Sequence, residues 1–410
     1  MIKTLSTALL FCVASVLLAQ PDINYNISVE SKYLKSHENI QVYLPASYQE
    51  QGEKRYPVLY VLDGQWFFLN GVAIQETLRG DGMMPELIVI GVDFKSRSYH
   101  DSLHFNHWEA LSEYIQKELI SFVDQTYRTT GERIIFGWEN PSSMVCEFLF
   151  QADPKFSGFI SSNGGYVQDD MLEAFQAYEG KELYLFLANS EKDIYTVKSS
   201  DELAEELKAH PPKKLRWKYV YFNEETHESL AYTSLYQGLR FYYHNYASRV
   251  FSGTQEFFDA GGLEALESYF QSRSKRFGTN PEIDNSTKNS LIWLAWKHDD
   301  FAAFDLFMTE FEEVLATRRY ASAYWQNRLG QFYLKYNDAT HAIEYFGRGI
   351  SQYPDPKFLE AMHAGMGSSY TLTGDKAKAK VHLKEAIKLA KADNHPEKLK
   401  EYQSRLKNLK

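Results

Sequence analysis

Cysteine is almost missing from this chain: Cys12 and Cys146 are the only two in 410 residues. Cys12 lies in "MIKTLSTALLFCVASVLLAQ", which has a basic start at Lys3, an apolar stretch too short to span a bilayer comfortably and small residues near Ala19. These features predict a secretory signal peptide over residues 1–19, cleaved after Ala19. Bulky Phe11 before Cys12, and an apolar stretch that runs on past it, speak against a lipid-bearing cysteine. Loss of the leader leaves Cys146 alone, which excludes an intramolecular disulfide and a cysteine-built metal site. No later stretch is apolar enough to cross a membrane, so the expected location is extracytoplasmic, periplasmic or secreted, without a membrane span. Basic clusters are missing too. Lys and Arg number 44 against 54 Asp and Glu, a formal charge of -10, and no Lys/Arg run is interleaved with aromatics, so no nucleic-acid or anionic-membrane partner is expected. Zinc-ligand spacings are absent as well. His100, His104 and His107 form the only local histidine cluster, in a segment that reads as a loop, and neither metal nor cofactor is expected.

What is present is alternation of strand and helix. "NYNISVES" and "ENIQVYLPASY", between Asn24 and Tyr48, read as an antiparallel pair. "YPVLYVLDG" (Tyr56–Gly64) and "LIVIGVDF" (Leu87–Phe94) are continuous apolar runs of the kind that helices bury on both faces. Helix periodicity follows from His107 to Tyr127. Further strands are expected at "RIIFG", at "GFISSNGG" from Gly158, at "ELYLFLANS" from Glu182 and at "RWKYVYFN" from Arg216. The expectation is an α/β fold, a doubly wound and mostly parallel sheet over residues 20–248, with chemistry at the carboxyl ends of its strands.

Residues 249–410 read as helix throughout. Leu329, Gly330, Tyr333, Ala342, Phe346, Gly349 and Pro354 fall at the spacings of a tetratricopeptide repeat, in which small residues let two antiparallel helices pack closely. A second copy carries Gly367, Tyr370, Ala379, Leu383 and Ala386, and a degenerate one precedes at Leu291, Leu294, Ala303 and Phe307. Such repeats stack because one pair cannot cover its own apolar face, and their concave side receives a peptide, a protein partner or another domain.

Within the α/β region, "RIIFGWENPSSMVCEFLF" (Arg133–Phe150) joins a strand to a helix through a sharp turn. A serine hydrolase of this architecture presents its nucleophile on such a turn, written Gly-x-Ser-x-Gly. Here Gly137 is followed by Trp138, Glu139, Asn140 and Pro141, so Glu139 stands at the serine's position and Pro141 at the second glycine's. The order nucleophile, acid, histidine is kept. Glu191 and Asp193 follow one strand, with Glu191 slightly preferred, and His227 follows the last.

From about Tyr56 to Tyr246 the chain resembles the esterase branch of the α/β-hydrolases, the group of enterochelin esterases and S-formylglutathione hydrolases. The resemblance rests on "YPVLYVLDGQWFF", "PELIVIGVDFKSRSYHD", "YIQKELISFVDQTYRTTGERIIFG" and "ETHESLAYTSLYQGLRFYY". It implies an oxyanion hole at Asp63, Gly64 and Gln65, with a backbone N–H as donor, a binding role for Trp138, and a structural role for Arg97 and Asp101. It also implies a small-molecule ester or acyl ligand.

The departure falls at the nucleophile. Attack on an ester by Glu139 would give an anhydride, from a side chain one methylene longer than the aspartate nucleophiles of related branches. Ser142 or Ser143, one turn into the helix, is the alternative nucleophile. In the blander reading of "NPSS", Asn140 caps the helix and Pro141 takes its first position. A carboxylate at 139 would pair with His227 rather than attack. The leading expectation is a pseudo-hydrolase kept for binding or scaffolding. The alternatives are an active carboxylic-ester hydrolase using a shifted serine with His227, and an interaction protein acting through its helical repeats.

Overall fold

The computed structural model describes residues 22–193, 195 and 198–409, so the expected signal peptide at 1–19 lies outside the described residues. The chain divides into two compact units, one ending at Ala247 and one running from Ser248 onward.

The first unit is built on one eight-stranded sheet. Its strands are β1 (Asp22–Ser31), β2 (Ser36–Leu44), β3 (Tyr56–Leu62), β4 (Ile88–Asp93), β5 (Thr129–Trp138), β6 (Gly158–Ser162), β7 (Leu183–Ser190) and β8 (Leu215–Phe222). The order across the sheet is β1-β2-β4-β3-β5-β6-β7-β8. β1 pairs antiparallel with β2, and β2 with β4. Every later pairing is parallel. All eight expected strands are present, and the fold is the expected mostly parallel α/β sheet.

The apolar runs explain which strands are central. Every residue of β3 and β7 is buried, and Ile134, Ile135 and Phe136 of β5 are fully so. Strands covered by helices on both faces have no polar face to show, so hydrophobicity is continuous rather than alternating. β8, at the sheet edge, alternates buried, exposed and intermediate positions, as one-sided cover requires. The parallel strands all point their carboxyl ends to one side, where the loops carrying the candidate residues gather.

Two details depart from expectation. "RSYHDSLHFN" is not a loop but a helix, Arg97–Asn106, opened by the Ser96 side chain accepting from Tyr99 N–H; His107 ends it. The segment that follows is helical as expected, but is wound wider over Tyr114–Leu119.

The second unit is all helix among the described residues. Side-chain caps set its register: Asp284, Asp300, Ser322, Asp338 and Asp375 each accept the N–H of the third residue onward, satisfying a donor that the first turn leaves free. Small residues lie where helices touch. A Cβ on Gly330 would stand 2.6 Å from the Phe346 ring, and one on Gly367 2.7 Å from Leu383. These contacts join Ala323–Lys335 to Ala339–Gln352 and Pro356–Leu372 to Lys376–Ala392. Leu291, Leu294, Ala303 and Phe307 are buried in the same core.

Candidate active site

The turn between β5 and the helix Asn140–Leu149 holds Glu139 at φ 57°, ψ -127°. That is a strained region for a residue with a β-carbon, of the kind that persists only where its surroundings enforce it. Two backbone bonds do so: Glu139 N–H donates to Ser162 O at 3.1 Å, and Ser142 N–H to Glu139 O at 3.0 Å. The turn needs bare neighbours. A Cβ on Gly137 would lie 2.6 Å from the Pro141 carbonyl, and one on Gly164 2.9 Å from Glu139 O. Glu139 itself is the N-cap, and Asn140 is the first helical residue. The expectation that Asn140 caps the helix is thereby corrected: the strand runs through Trp138, so the single non-helical residue between the elements is Glu139.

From this turn the Glu139 carboxylate reaches two partners. Oε1 is 2.6 Å from His227 Nε2, and Oε2 is 3.3 Å from Arg97 Nη1. His227 opens the helix after β8, fixed by a reciprocal cap between Thr226 and Ser229. Its other ring nitrogen, Nδ1, lies 2.9 and 3.0 Å from the two oxygens of buried Asp193. The Asn163 amide donates to Asp193 Oδ2 at 2.6 Å and lies 3.1 Å from His227 Nδ1. The backbone N–H of Tyr195 donates to Asp193 Oδ1 at 2.8 Å.

Glu191, the slightly preferred acid, is exposed at the tip of the loop after β7. The reason is local. Ser190 Oγ accepts Lys192 N–H at 3.2 Å, so the chain turns through Glu191 at the surface, and Asp193 is the first carboxylate to come back under the imidazole.

Ser142 is fully buried and its hydroxyl donates to Glu139 O at 2.5 Å. It has no path to a substrate. Ser143 lines the cleft and its Oγ accepts the Tyr166 N–H at 3.3 Å, but Nε2 of His227 faces Glu139. Trp138 does not line the cleft either. It is buried, its indole N–H donates to His227 O at 2.9 Å, and its ring lies 4.6 Å from the imidazole, so it supports the histidine from behind.

Asp63 caps the helix Gly64–Gly80 in the left-handed conformation and is fully buried. Gln65 Nε2 donates to Asp63 Oδ1 at 2.8 Å, and Gln65 Oε1 accepts Phe94 N–H at 3.1 Å. A Cβ on Gly64 would stand 2.7 Å from the Gly91 backbone. Asp63, Gly64 and Gln65 therefore tie β3 to β4, and none is among the residues that line the cleft.

Behind this turn lies a buried histidine pair. His100 Nε2 is 3.5 Å from Asp63 Oδ2, and His100 Nδ1 is 3.0 Å from Asp101 Oδ1. Burial pulls the His100 pKa down, but the Asp63 and Asp101 carboxylates outweigh it and the net direction is up. His104 has no such partner: Nδ1 meets the His100 carbonyl at 2.8 Å, and burial takes its pKa down to about 4. Asp101 also pairs with Arg97 Nε at 3.1 Å. An unbroken series of groups capable of opposite charge thus runs Asp63, His100, Asp101, Arg97, Glu139, His227, Asp193.

These contacts limit the chemistry. Both nitrogens of His227 face carboxylate oxygens, so the hydrogen bonds are complete only with a proton on each nitrogen or on one carboxyl. Either way, no nitrogen lone pair is left to take a proton from water or a hydroxyl. The neighbouring cleft encloses about 700 Å³ and is lined by Glu139, Asn140, Asn163 and His227, with the exposed rings of Phe105, Tyr166 and Tyr195 among its other walls.

Sequence reasoning missed Asn163 and the part played by Arg97. A signal for the first was available: Asn before Gly-Gly marks a left-handed turn, and Asn163 has φ 56°. The family resemblance implies only a structural role for Arg97, and nothing in sequence order brings a residue 42 positions away to Glu139.

Sheet order, elbow and the loop positions of the acid and histidine define the first unit as an α/β-hydrolase fold. Residues 31–140 match an esterase family model, described as "Putative esterase". The chain is similar in structure to an uncharacterised protein from Capnocytophaga ochracea, with a TM-score of 0.58 and 16% identity over 85% of this chain and 100% of that one. It is also similar to an IroE-like serine hydrolase from Shewanella oneidensis, with a TM-score of 0.51 and 20% identity over 71% of this chain and 98% of that one. No curated protein matches the sequence.

Proposed function

We propose that this protein is a non-hydrolysing member of the esterase branch, acting outside the cytoplasm, whose cleft binds a small ester or acyl compound without turning it over. The observation that carries this reading is the Glu139 carboxylate at the nucleophile's turn, 2.6 Å from His227 Nε2. It occupies the place from which a serine would attack, and it engages the nitrogen that would activate that serine. Retention of the strained turn supports a site maintained for presenting a side chain, since a relaxed turn would be more stable by about 1–3 kcal/mol. Retention of Asp193 on the far nitrogen fits the same view.

The test uses the chain from Gln20 onward with p-nitrophenyl acetate and butyrate. The wild-type protein is expected to show no turnover above a mock purification. Glu139→Ser is expected to gain turnover, and His227→Ala in that background to lose it again. Wild-type turnover that disappears in Ser143→Ala or His227→Ala would overturn the proposal.

A further inference from the structure

Away from the cleft, the second unit carries a ladder of alternating indole and guanidinium groups. Trp293 and Trp296 lie on the helix Asn285–Lys297, Trp325 and Arg328 on the helix Ala323–Lys335, and Arg319 on the segment that precedes the latter. The Arg319 guanidinium stands 5.3 Å from the centre of the Trp325 ring. That of Arg328 stands 5.6 Å from Trp325 and 3.9 Å from Trp296, and Trp296 lies 5.0 Å from Trp293. Tyr324 flanks Arg328 and accepts a hydrogen bond from its Nη1. The ladder reaches the surface: Trp293 is 40% and Tyr324 41% exposed, and Arg319 is exposed as well.

A single exposed apolar side chain is ordinary, but contiguous tryptophan and tyrosine interleaved with arginine is the composition of the few residues that carry most of the energy of a protein interface. The guanidinium groups point to the partner's charge. Each is a planar fork of five N–H donors, and stacking on an indole engages its face while leaving the edge free. Arg328 gives one of these donors to Tyr324. Among the described residues neither Arg319 nor Arg328 is paired with a carboxylate, whereas Arg273, Arg348 and Arg405 of the same unit each are. The stacked rings also hold the forks in place, so less side-chain freedom is lost when a carboxylate arrives.

The shape of the surface narrows the class of partner. The crevice among these rings encloses only about 10 Å³, no more than one water needs, so it cannot enclose a small molecule and suits a chain laid across it. Two guanidinium groups on a protein of net charge -10 are too few to hold a nucleic acid, whose binding rests on many phosphate contacts.

We propose that this ladder is a docking surface for an acidic peptide segment of another protein. Carboxylates of the segment accept paired hydrogen bonds from Arg319 and Arg328, and an aromatic or apolar side chain between them lies on Trp293 and Trp296. The surface is independent of the cleft, and its role stands whether or not the cleft hydrolyses esters.

The test is fluorescence polarisation of a fluorescein-labelled peptide of glutamates interrupted by phenylalanine, titrated with the chain from Gln20 onward. The same peptide with glutamine for glutamate serves as the uncharged control. The acidic peptide is expected to bind, more tightly at low than at physiological salt, and the control to bind at least about tenfold more weakly. Arg319→Gln and Arg328→Gln should each weaken binding about 10–100-fold, the usual worth of a hydrogen bond to a charged group. Arg328→Lys, which keeps the charge but loses the fork, should also weaken it, and Trp293→Ala should cost about tenfold. Arg348→Gln, at an arginine that already has its acid, should leave binding unchanged. Circular dichroism of each variant separates loss of the surface from loss of the fold. Failure of the folded wild-type chain to bind the acidic peptide overturns the proposal, as does equal binding of the glutamine control or binding that survives both arginine-to-glutamine variants. Self-association of the chain that both of these variants abolish, or binding of polygalacturonate in place of the peptide, overturns it too, in favour of a second copy or an acidic polysaccharide.

Discussion

The two halves of the candidate site make a contrast. The rear half, Asp193, Asn163 and His227, has the arrangement a hydrolase needs, with a buried carboxylate orienting the imidazole from behind. The front half does not. Glu139 closes on His227 Nε2, and the Asp63 side chain is buried and accepts a hydrogen bond from the Gln65 amide. On the proposed reading, the half that orients the imidazole is kept while the half that would meet a substrate carries different chemistry. The two are separable because orientation depends on buried hydrogen bonds that also stabilise the fold, whereas reactivity depends on one side chain at the turn.

The largest effect that could break this contrast is restoration of the front half. If the rear half is competent, Glu139→Ser gains ester hydrolysis, and His227→Ala in that background lowers the rate by about 10²–10⁴-fold, the usual worth of a positioned base. A Glu139→Ser protein that folds but stays inert would show that the rear geometry is insufficient on its own.

Next in size is the removal of the rear carboxylate. Asp193→Ala leaves His227 without its buried partner and is expected to cost about 3–5 kcal/mol in urea unfolding. Glu191→Ala, two residues earlier and exposed, should stay within about 0.5 kcal/mol of wild type. Equal effects would erase the distinction between the two acids.

The helix Arg97–Asn106, whose first residue meets Glu139, carries a pH signature. Burial holds the His104 pKa down at about 4, against an ordinary 6.5. The unfolded chain therefore takes up the proton first, and the stability present above about pH 6.5 is lost as pH falls toward 4. The shift is worth about 3 kcal/mol at full expression. His104→Leu should flatten that part of the stability profile measured by denaturant unfolding between pH 7 and pH 4.

The smallest expected effect isolates backbone strain. Glu139→Gly and Glu139→Ala lose the same carboxylate, but only glycine adopts φ 57° without penalty. Glu139→Gly should be the more stable by about 1 kcal/mol, despite the entropy that glycine ordinarily costs. The reverse order would mean that the turn relaxes in the variants.

Much of the fold was legible because burial on two faces leaves a mark that needs no partner to be read. "YPVLYVL" is a continuous apolar run and "LYLFLANS" is apolar as far as Ala188, and each is a fully buried strand. The helix Arg97–Asn106 was not legible. Its sequence is polar, and what buries it is contact between His100, His104 and Phe94, which the histidine spacing alone does not reveal. Within the site, the positions of Glu139, of an acid loop and of His227 after β5, β7 and β8 could be read from chain order. Asn163, Arg97 and the choice of Asp193 over Glu191 could not.

The sequence by itself determined the sheet, the strand-to-helix turn after β5 and the glutamate that stands on it. Side-chain identity and apolar periodicity are local properties, and they survive without coordinates. Tertiary structure alone decided what the glutamate does there. Its carboxyl group is held between His227 and Arg97, residues 88 and 42 positions away, and distances across a folded sheet are fixed by packing, which no stretch of the chain records on its own.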